Sequence, residues 1–334
     1  MKVKRVLVIL MLIMLASGVQ AEVEFADPNL EAAVRKAINR DFGDLTETHV
    51  KNISSLDLIG EDIKTLAGIE HLVSLDRLGL YGTQVADLSP LAALKNLRHL
   101  EILYNRSPKL MGVEAIGELA SLTTLALSGL NLSDISFLSG LKNLYWLELR
   151  DNEIIDISLL QHLNNLVKLD LSLNLIDDIS PLAELIELQY LDLAWNFFFE
   201  LDALVHLSNL TTLVLSGTDL TDLSVLKVFD QLTIIRLDNC GLNDISDLAE
   251  LKELKIVQLS MNEIRDISSL AELKGLEELD LFGNRVSDIT PLLEMPNLTR
   301  VDLSLNPLSL DDQQTLDVVT KLLDRGVYIR NTFE

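Results

Sequence analysis

A single cysteine, Cys240, stands in 334 residues. No intramolecular disulfide is possible, so the chain relies on its core and its ends rather than on covalent staples. Aromatic residues make up only 5% while hydrophobic residues reach 48%, so the apolar mass is almost entirely Leu, Ile, Val and Ala. That balance suits a small aliphatic unit used many times over. Basic residues are scarce as well: 27 Lys and Arg face 51 Asp and Glu, a formal charge of −24. Phosphate backbones and anionic lipid surfaces repel such a chain, which sets aside nucleic acid and membrane surfaces as partners. The simplest role for the acids is to keep a Leu-rich surface soluble.

Long apolar runs are missing too. The one notable stretch opens the chain: Lys2, Lys4 and Arg5, an apolar run from Val6 to Ala16, then small residues ending in Val19-Gln20-Ala21. The run of about 11 residues falls short of the roughly 20 that a bilayer core asks for. The order of charged, apolar and small residues predicts a secretory signal peptide over 1–21, cut before Glu22. With no cysteine near the cut for lipid attachment and no later spanning run, the expected location is secreted or periplasmic, with no direct membrane insertion after cleavage.

What is present is a repeat. Aliphatic residues that open a strand fall at Leu56, Leu78, Leu100, Leu125, Leu147, Leu169, Leu191, Leu213, Ile235, Val257, Leu279 and Val301; every interval is 22 residues except Leu100 to Leu125, which is 25. Twelve matches to one template predict twelve units over 54–308. Each unit reads LxLxxN, an alternation of buried and outward residues that ends at a polar turn. Stacked in parallel at about 4.8 Å per strand, the units make a solenoid with a concave sheet. The second half of each unit reads like Ile176 to Leu185, I-D-D-I-S-P-L-A-E-L. Ser180 before Pro181, and Thr290 before Pro291, predict an N-cap followed by proline at the first helical position, so short helical or 3₁₀ turns line the convex side.

Asparagine fills the turn position as Asn105, Asn152, Asn174, Asn196, Asn262, Asn284 and Asn306, where its amide can satisfy backbone groups that would otherwise be buried unpaired. Glu61, Thr83, Leu130, Thr218 and Cys240 replace it elsewhere and weaken the ladder. Solenoid ends need caps. The first cap is expected over 22–53: a helix from Asp27-Pro28 with Leu30, Val34 and Ile38 on one face, then a short helix opened by Thr46. The second is expected over 309–334. There Ser309 with Asp312 suggests a capping box, Leu316, Val319, Leu322 and Leu323 an apolar face, and Val327-Tyr328-Ile329 a strand closing the sheet edge.

With its 22-residue unit, the D-I-x-P-L turn, the D-P-N-L-E start and the N-P-L-S and R-G-V-Y-I ending, the chain resembles bacterial internalin-type leucine-rich-repeat proteins. The resemblance implies an α/β solenoid, a leucine-rich-repeat horseshoe with helical caps at both ends. It also implies a binding role, often attachment to host surfaces; no second domain or wall-sorting motif accompanies the array here.

Little in the sequence looks catalytic. His71, His162 and His206 share one column but sit several units apart, too far to hold one ion. Cys240 reads as a buried structural thiol. Asp87, Asp134, Asp156, Asp178, Asp222, Asp244, Asp266 and Asp288 form a column nine residues after the strand positions. A row of calcium sites is one reading. The favoured one gives each Asp the backbone N–H groups of its own turn, since the flanking residues are too apolar to supply six oxygens. No phosphate loop or nucleophile with its base is found, so no enzyme, cofactor or metal is expected.

The expected binding residues are Trp146, Glu148 and Arg150, Asp170, Tyr190, Asp192 and Trp195, and Phe197 at the rim. Both tryptophans fall in this stretch at outward positions. Aromatics with Arg and carboxylates mark protein-binding hot spots. A protein partner, from host or envelope, is therefore expected; a carbohydrate or cell-envelope ligand and a purely structural surface role are the alternatives. The three extra residues around Arg106-Ser107-Pro108-Lys109 predict a rim loop.

Overall fold

The computed structural model describes residues 22–331 except Glu61, Pro108 and Thr221. The expected signal segment, the ladder position Glu61, Pro108 of the rim loop and the last three residues lie outside the described residues. The chain divides after Leu122 into two compact units.

The first unit opens with helix α1 (Pro28–Ala37) and the short helix α2 (Glu47–Val50). Asp27 caps α1: its Oδ1 accepts the N–H groups of Asn29 (2.9 Å) and Leu30, and its Oδ2 accepts that of Lys64 (2.7 Å) in the first repeat. Burial would raise the Asp27 carboxyl, but these backbone donors together hold it below the usual range. Leu30 and Val34 are buried and Ile38 is half-buried, on one helical face as the spacing requires. Strands β1 (Ser55–Ile59), β2 (Arg77–Tyr81) and β3 (His99–Leu103) follow, parallel and in register at Leu56, Leu78 and Leu100.

The second unit carries β4 (Thr124–Ser128), β5 (Trp146–Glu148), β6 (Lys168–Asp170), β7 (Tyr190–Asp192), β8 (Thr212–Val214), β9 (Ile234–Arg236), β10 (Ile256–Gln258), β11 (Glu278–Asp280) and β12 (Arg300–Asp302). Helix α3 (Gln313–Asp324) and β13 (Tyr328–Arg330) end it. All ten strands are parallel and lie in chain order in an open sheet. A period of 22 leaves no slack for register slips: Leu147 faces Leu169 and Leu169 faces Leu191; beyond the last repeat, across α3, Val301 faces Ile329. Thus each repeat supplies one short strand, as its LxL core pattern predicts.

After the second buried aliphatic the chain turns through a left-handed residue, such as Asp151, Leu173, Trp195 or Gly217. The Asn ladder then closes the turn. Asn174 donates from Nδ2 to the carbonyls of Leu149 and Leu171, both 2.9 Å, and accepts the N–H of Ile154 at Oδ1. Asn152, Asn196, Asn262, Asn284 and Asn306 bond likewise. Asn105 donates to the Val85 carbonyl, but its Oδ1 accepts the N–H of Ser107 within the rim loop.

Two local expectations need correction. Ser180 and Thr290 are the first residues inside their 3₁₀ turns (Ser180–Glu184, Thr290–Glu294) rather than the caps. The N-cap positions are Ile179 and Ile289, and the Asp before each accepts the first N–H of the turn at its side chain. At the other end Asp312, not Ser309, caps α3, accepting the N–H of Thr315 at 2.8 Å. Helix α3 therefore starts one turn later, and its buried face is Thr315, Val318, Val319 and Leu322, with Leu316 and Leu323 exposed rather than part of it.

Candidate outward binding face

Along β5, β6 and β7 the residues alternate between core and outside, so the positions flanking each buried Leu share one face. One outward column runs Trp146, Lys168, Tyr190, Thr212, and the next Glu148, Asp170, Asp192, Val214. Trp146 is exposed, and Lys168 Nζ stands 5.5 Å from the centre of its ring. The chain thus places one of its own cations on one of its two tryptophans.

The carboxylates differ in setting. Glu148 accepts the Ser128 hydroxyl at 2.7 Å. Asp170 Oδ1 accepts the N–H and hydroxyl of Ser172, and the same hydroxyl takes a hydrogen bond from Arg150 Nη1 at 2.9 Å. Arg150 is half-buried and tied to the next repeat rather than loose. Asp192 is 8% exposed; its Oδ1 accepts the N–H of Ala194 at 3.0 Å, and Tyr190 donates its hydroxyl to Oδ2 at 3.3 Å. Burial first, then the neighbouring Asp170, pushes the Asp192 carboxyl up to about 6, against the lowering effect of Ala194, Tyr190 and Arg150. Burial and the nearby acids likewise push the Tyr190 hydroxyl well above its ordinary value.

Trp195 belongs to the turn that follows β7, not to the strand: its φ is +57°. Its indole lies on Gly217, the matching turn residue of the next repeat. A Cβ at Gly217 would come within 2.5 to 2.8 Å of ring atoms Cδ2, Cε3 and Cε2. With one face seated on that glycine the residue remains 50% exposed. The seat escapes a reading that treats residues singly; the period of 22, which aligns Gly217 with Trp195, is the signal that locates it. Phe197 and Phe199 are exposed while Phe198 takes the core slot, as the repeat predicts.

A second group was not singled out by sequence. Asp238 Oδ1 accepts the N–H and hydroxyl of Ser260 at 2.9 and 2.7 Å, and its Oδ2 accepts the hydroxyl of Ser216, the residue before Gly217, at 3.0 Å. A carboxylate therefore sits beside the seat of Trp195. No periodic pattern announces it, because Ser and Ala fill this column in neighbouring units.

Elsewhere the polar columns serve the fold. Each member of the Asp column, from Asp87 to Asp288, accepts the N–H two residues ahead at 2.7 to 2.9 Å. For Asp156, Asp178, Asp222, Asp244 and Asp266 that backbone bond holds the carboxyl below its ordinary value. Cys240 is buried, with Sγ 3.3 Å from the Leu215 carbonyl and its N–H donated to Asn262 Oδ1; burial pushes the thiol up. His162 and His206 are exposed, and His71 is half-buried, edge-on to Phe25. Among the described residues no group of three or more His, Cys, Asp or Glu side chains is disposed to hold a metal, and no helix is long and apolar enough to cross a membrane.

No family model and no curated protein matches the chain. Solved structures do. An internalin (inlF) from Listeria monocytogenes is 27% identical over 93% of this chain and 96% of that one, with a TM-score of 0.79. Internalin C2 (inlC2) from the same species is 32% identical over 71% of this chain and 94% of that one, with a TM-score of 0.54. A leucine-rich-repeat protein of Leptospira interrogans, 20% identical over 84% of this chain and 90% of that one, shares the fold at a TM-score of 0.60. Repeat length, Asn ladder, Asp-capped turns and these likenesses agree: the chain belongs to the internalin-type family of leucine-rich-repeat proteins.

Proposed function

We propose that this is an exported, non-enzymatic binding protein that recognises a protein partner through the outward face of β5 to β7 and the adjoining rim. The observation that carries the reading is that both tryptophans, each at least 39% exposed, stand at outward positions of repeats two apart, in one stretch with Tyr190, Arg150 and Phe197. None of these occupies a core slot, so the fold does not require them, and aromatics with Arg are the side chains that dominate protein interfaces. Export rests on the order of residues in segment 1–21, and secretion or a periplasmic location follows from it.

The experiment compares wild type with a Trp146→Ala/Trp195→Ala variant in capture from envelope and host-surface extracts, and in parallel on a glycan array. A captured protein that the variant loses, with unchanged melting, is the expected result. Array hits lost in the same way would support a carbohydrate ligand instead. Equal behaviour of the two proteins would show that the face is not the binding surface. Wild type is also expected to be secreted with an intact mass that starts at Glu22; retention of Met1 to Ala21 in exported material would overturn the signal assignment.

A further inference from the structure

Which part of a partner fits this face follows from the seat of Trp195. The indole is pinned from below by Gly217, so it offers a fixed π surface that can accept a cation without an entropic penalty for ordering the ring. Two carboxylates belong to the same stretch: Asp192, three residues before Trp195 and bonded to Ala194 and Tyr190, and Asp238, whose Oδ2 reaches Ser216 next to Gly217. Two cations of this face are already engaged: Lys168 lies over Trp146 and Arg150 is bonded to Ser172, while Arg236, exposed on β9 in the column of Asp192, is near enough to Tyr190 to counter the effect of the acids on its hydroxyl. Trp146 shows the same chemistry satisfied from within the chain. With 51 acidic against 27 basic residues, the molecule as a whole also attracts positive charge.

We propose that the occupant is a basic segment of a partner protein, one of whose Lys or Arg side chains lies across the outward face of Trp195, with Asp192 and Asp238 as its counter-charges. The inference rests on the protein-binding reading above and names the chemistry of that partner. Gly217 is then a positioning residue: a methyl group there displaces the indole without altering any charge.

A random dodecapeptide display library, selected on the full chain and counter-selected on Trp195→Ala, tests both readings separately. The expected binders carry net positive charge. Replacing one particular Arg of a binder with citrulline should weaken it tenfold or more. The same loss is expected with Asp192→Asn/Asp238→Asn and with Gly217→Ala, provided neither variant melts below wild type; Trp195→Leu covers the case in which the glycine variant does. Glu187→Gln/Glu253→Gln, which removes two exposed charges away from this face, should leave affinity within about twofold, as exposed charges at a distance are largely screened. Binders that need Trp195 yet are neutral or acidic would overturn the basic-segment inference and leave the protein-binding reading standing. Basic binders weakened equally by the Glu187/Glu253 pair would reduce the effect to general charge attraction and overturn it too. No binder that distinguishes wild type from Trp195→Ala would overturn both.

Discussion

Asp192 carries a negative charge in a position where burial disfavours it. Its carboxyl, raised to about 6 by burial and then by Asp170, lies above its unfolded value of about 3.9. Between those two values the native state holds a proton that the unfolded chain has lost, so stability falls as pH rises through that window. At pH 7 and above the full penalty is present, on the order of 2 kcal/mol. Asp192→Asn removes the charge and keeps an oxygen for the Ala194 N–H. It should raise the melting temperature at pH 7.5 by several degrees, with the gain shrinking toward pH 4.5, in melts followed by circular dichroism across that range. The sequence places Asp192 in its column but not its proton affinity, which depends on how closely Asp170 and Tyr190 pack. The Asn ladder is the opposite case, legible from position alone. Asn174 makes bonds that leave several backbone groups orphaned if it is lost. Asn174→Ala should therefore lower stability by about 3 kcal/mol in urea unfolding. Cys240→Ala, which removes only weak sulfur contacts, should lower it by less than half as much and leave binding intact.

The element that repeats most faithfully is the Asp-capped 3₁₀ turn. Its sequence signature was clear, yet the capping role had two candidates, Asp178 and Ser180. Geometry settles it: the Asp178 side chain reaches the Ser180 N–H at 2.8 Å, while Ser180 already lies inside the turn. The same ambiguity misplaced the start of α3, where Asp312 wins over Ser309 because its carboxylate accepts both the N–H and the hydroxyl of Thr315. Local propensity names capping residues by type; tertiary packing of the last repeat selects among them. Because one oxygen of each column Asp is already engaged by backbone, a chelator such as EDTA should leave the melting temperature unchanged. A drop of many degrees would make the column a metal site. At the first cap, Asp27 joins α1 to the segment at Lys64 and Thr65. Its depressed carboxyl contributes stability that is present above the unfolded value and lost as pH falls through the folded one. Asp27→Ala should cost about 2 kcal/mol or more, beyond a simple N-cap, because two backbone donors of the first repeat lose their acceptor along with those of the helix.

Across the whole molecule, charge is the quantity that the repeat does not average away. Acids outnumber bases 51 to 27 over the chain, and the sum of −24 makes the native chain repel itself. Opposing this are ion pairs that step from one repeat to the next, among them Lys95 with Glu118, Lys227 with Asp247, Lys252 with Glu272 and Arg285 with Glu263. Magnitudes decide between them. These pairs are largely exposed, and such pairs each contribute roughly 0 to 1 kcal/mol. The repulsion, by contrast, is summed over all the excess acids of the chain, and expanding the chain relieves it. Salt screens both, but it removes more repulsion than attraction. Raising NaCl from 20 to 300 mM should therefore increase the melting temperature by several degrees. Binding to a basic partner should weaken over the same range, since the same screening acts there on attraction alone. Melting curves and titrations recorded in one salt series check the two together. A melting temperature that falls with salt would mean that the inter-repeat ion pairs outweigh the net charge, and that the acids are there to hold the stack rather than to meet a cation.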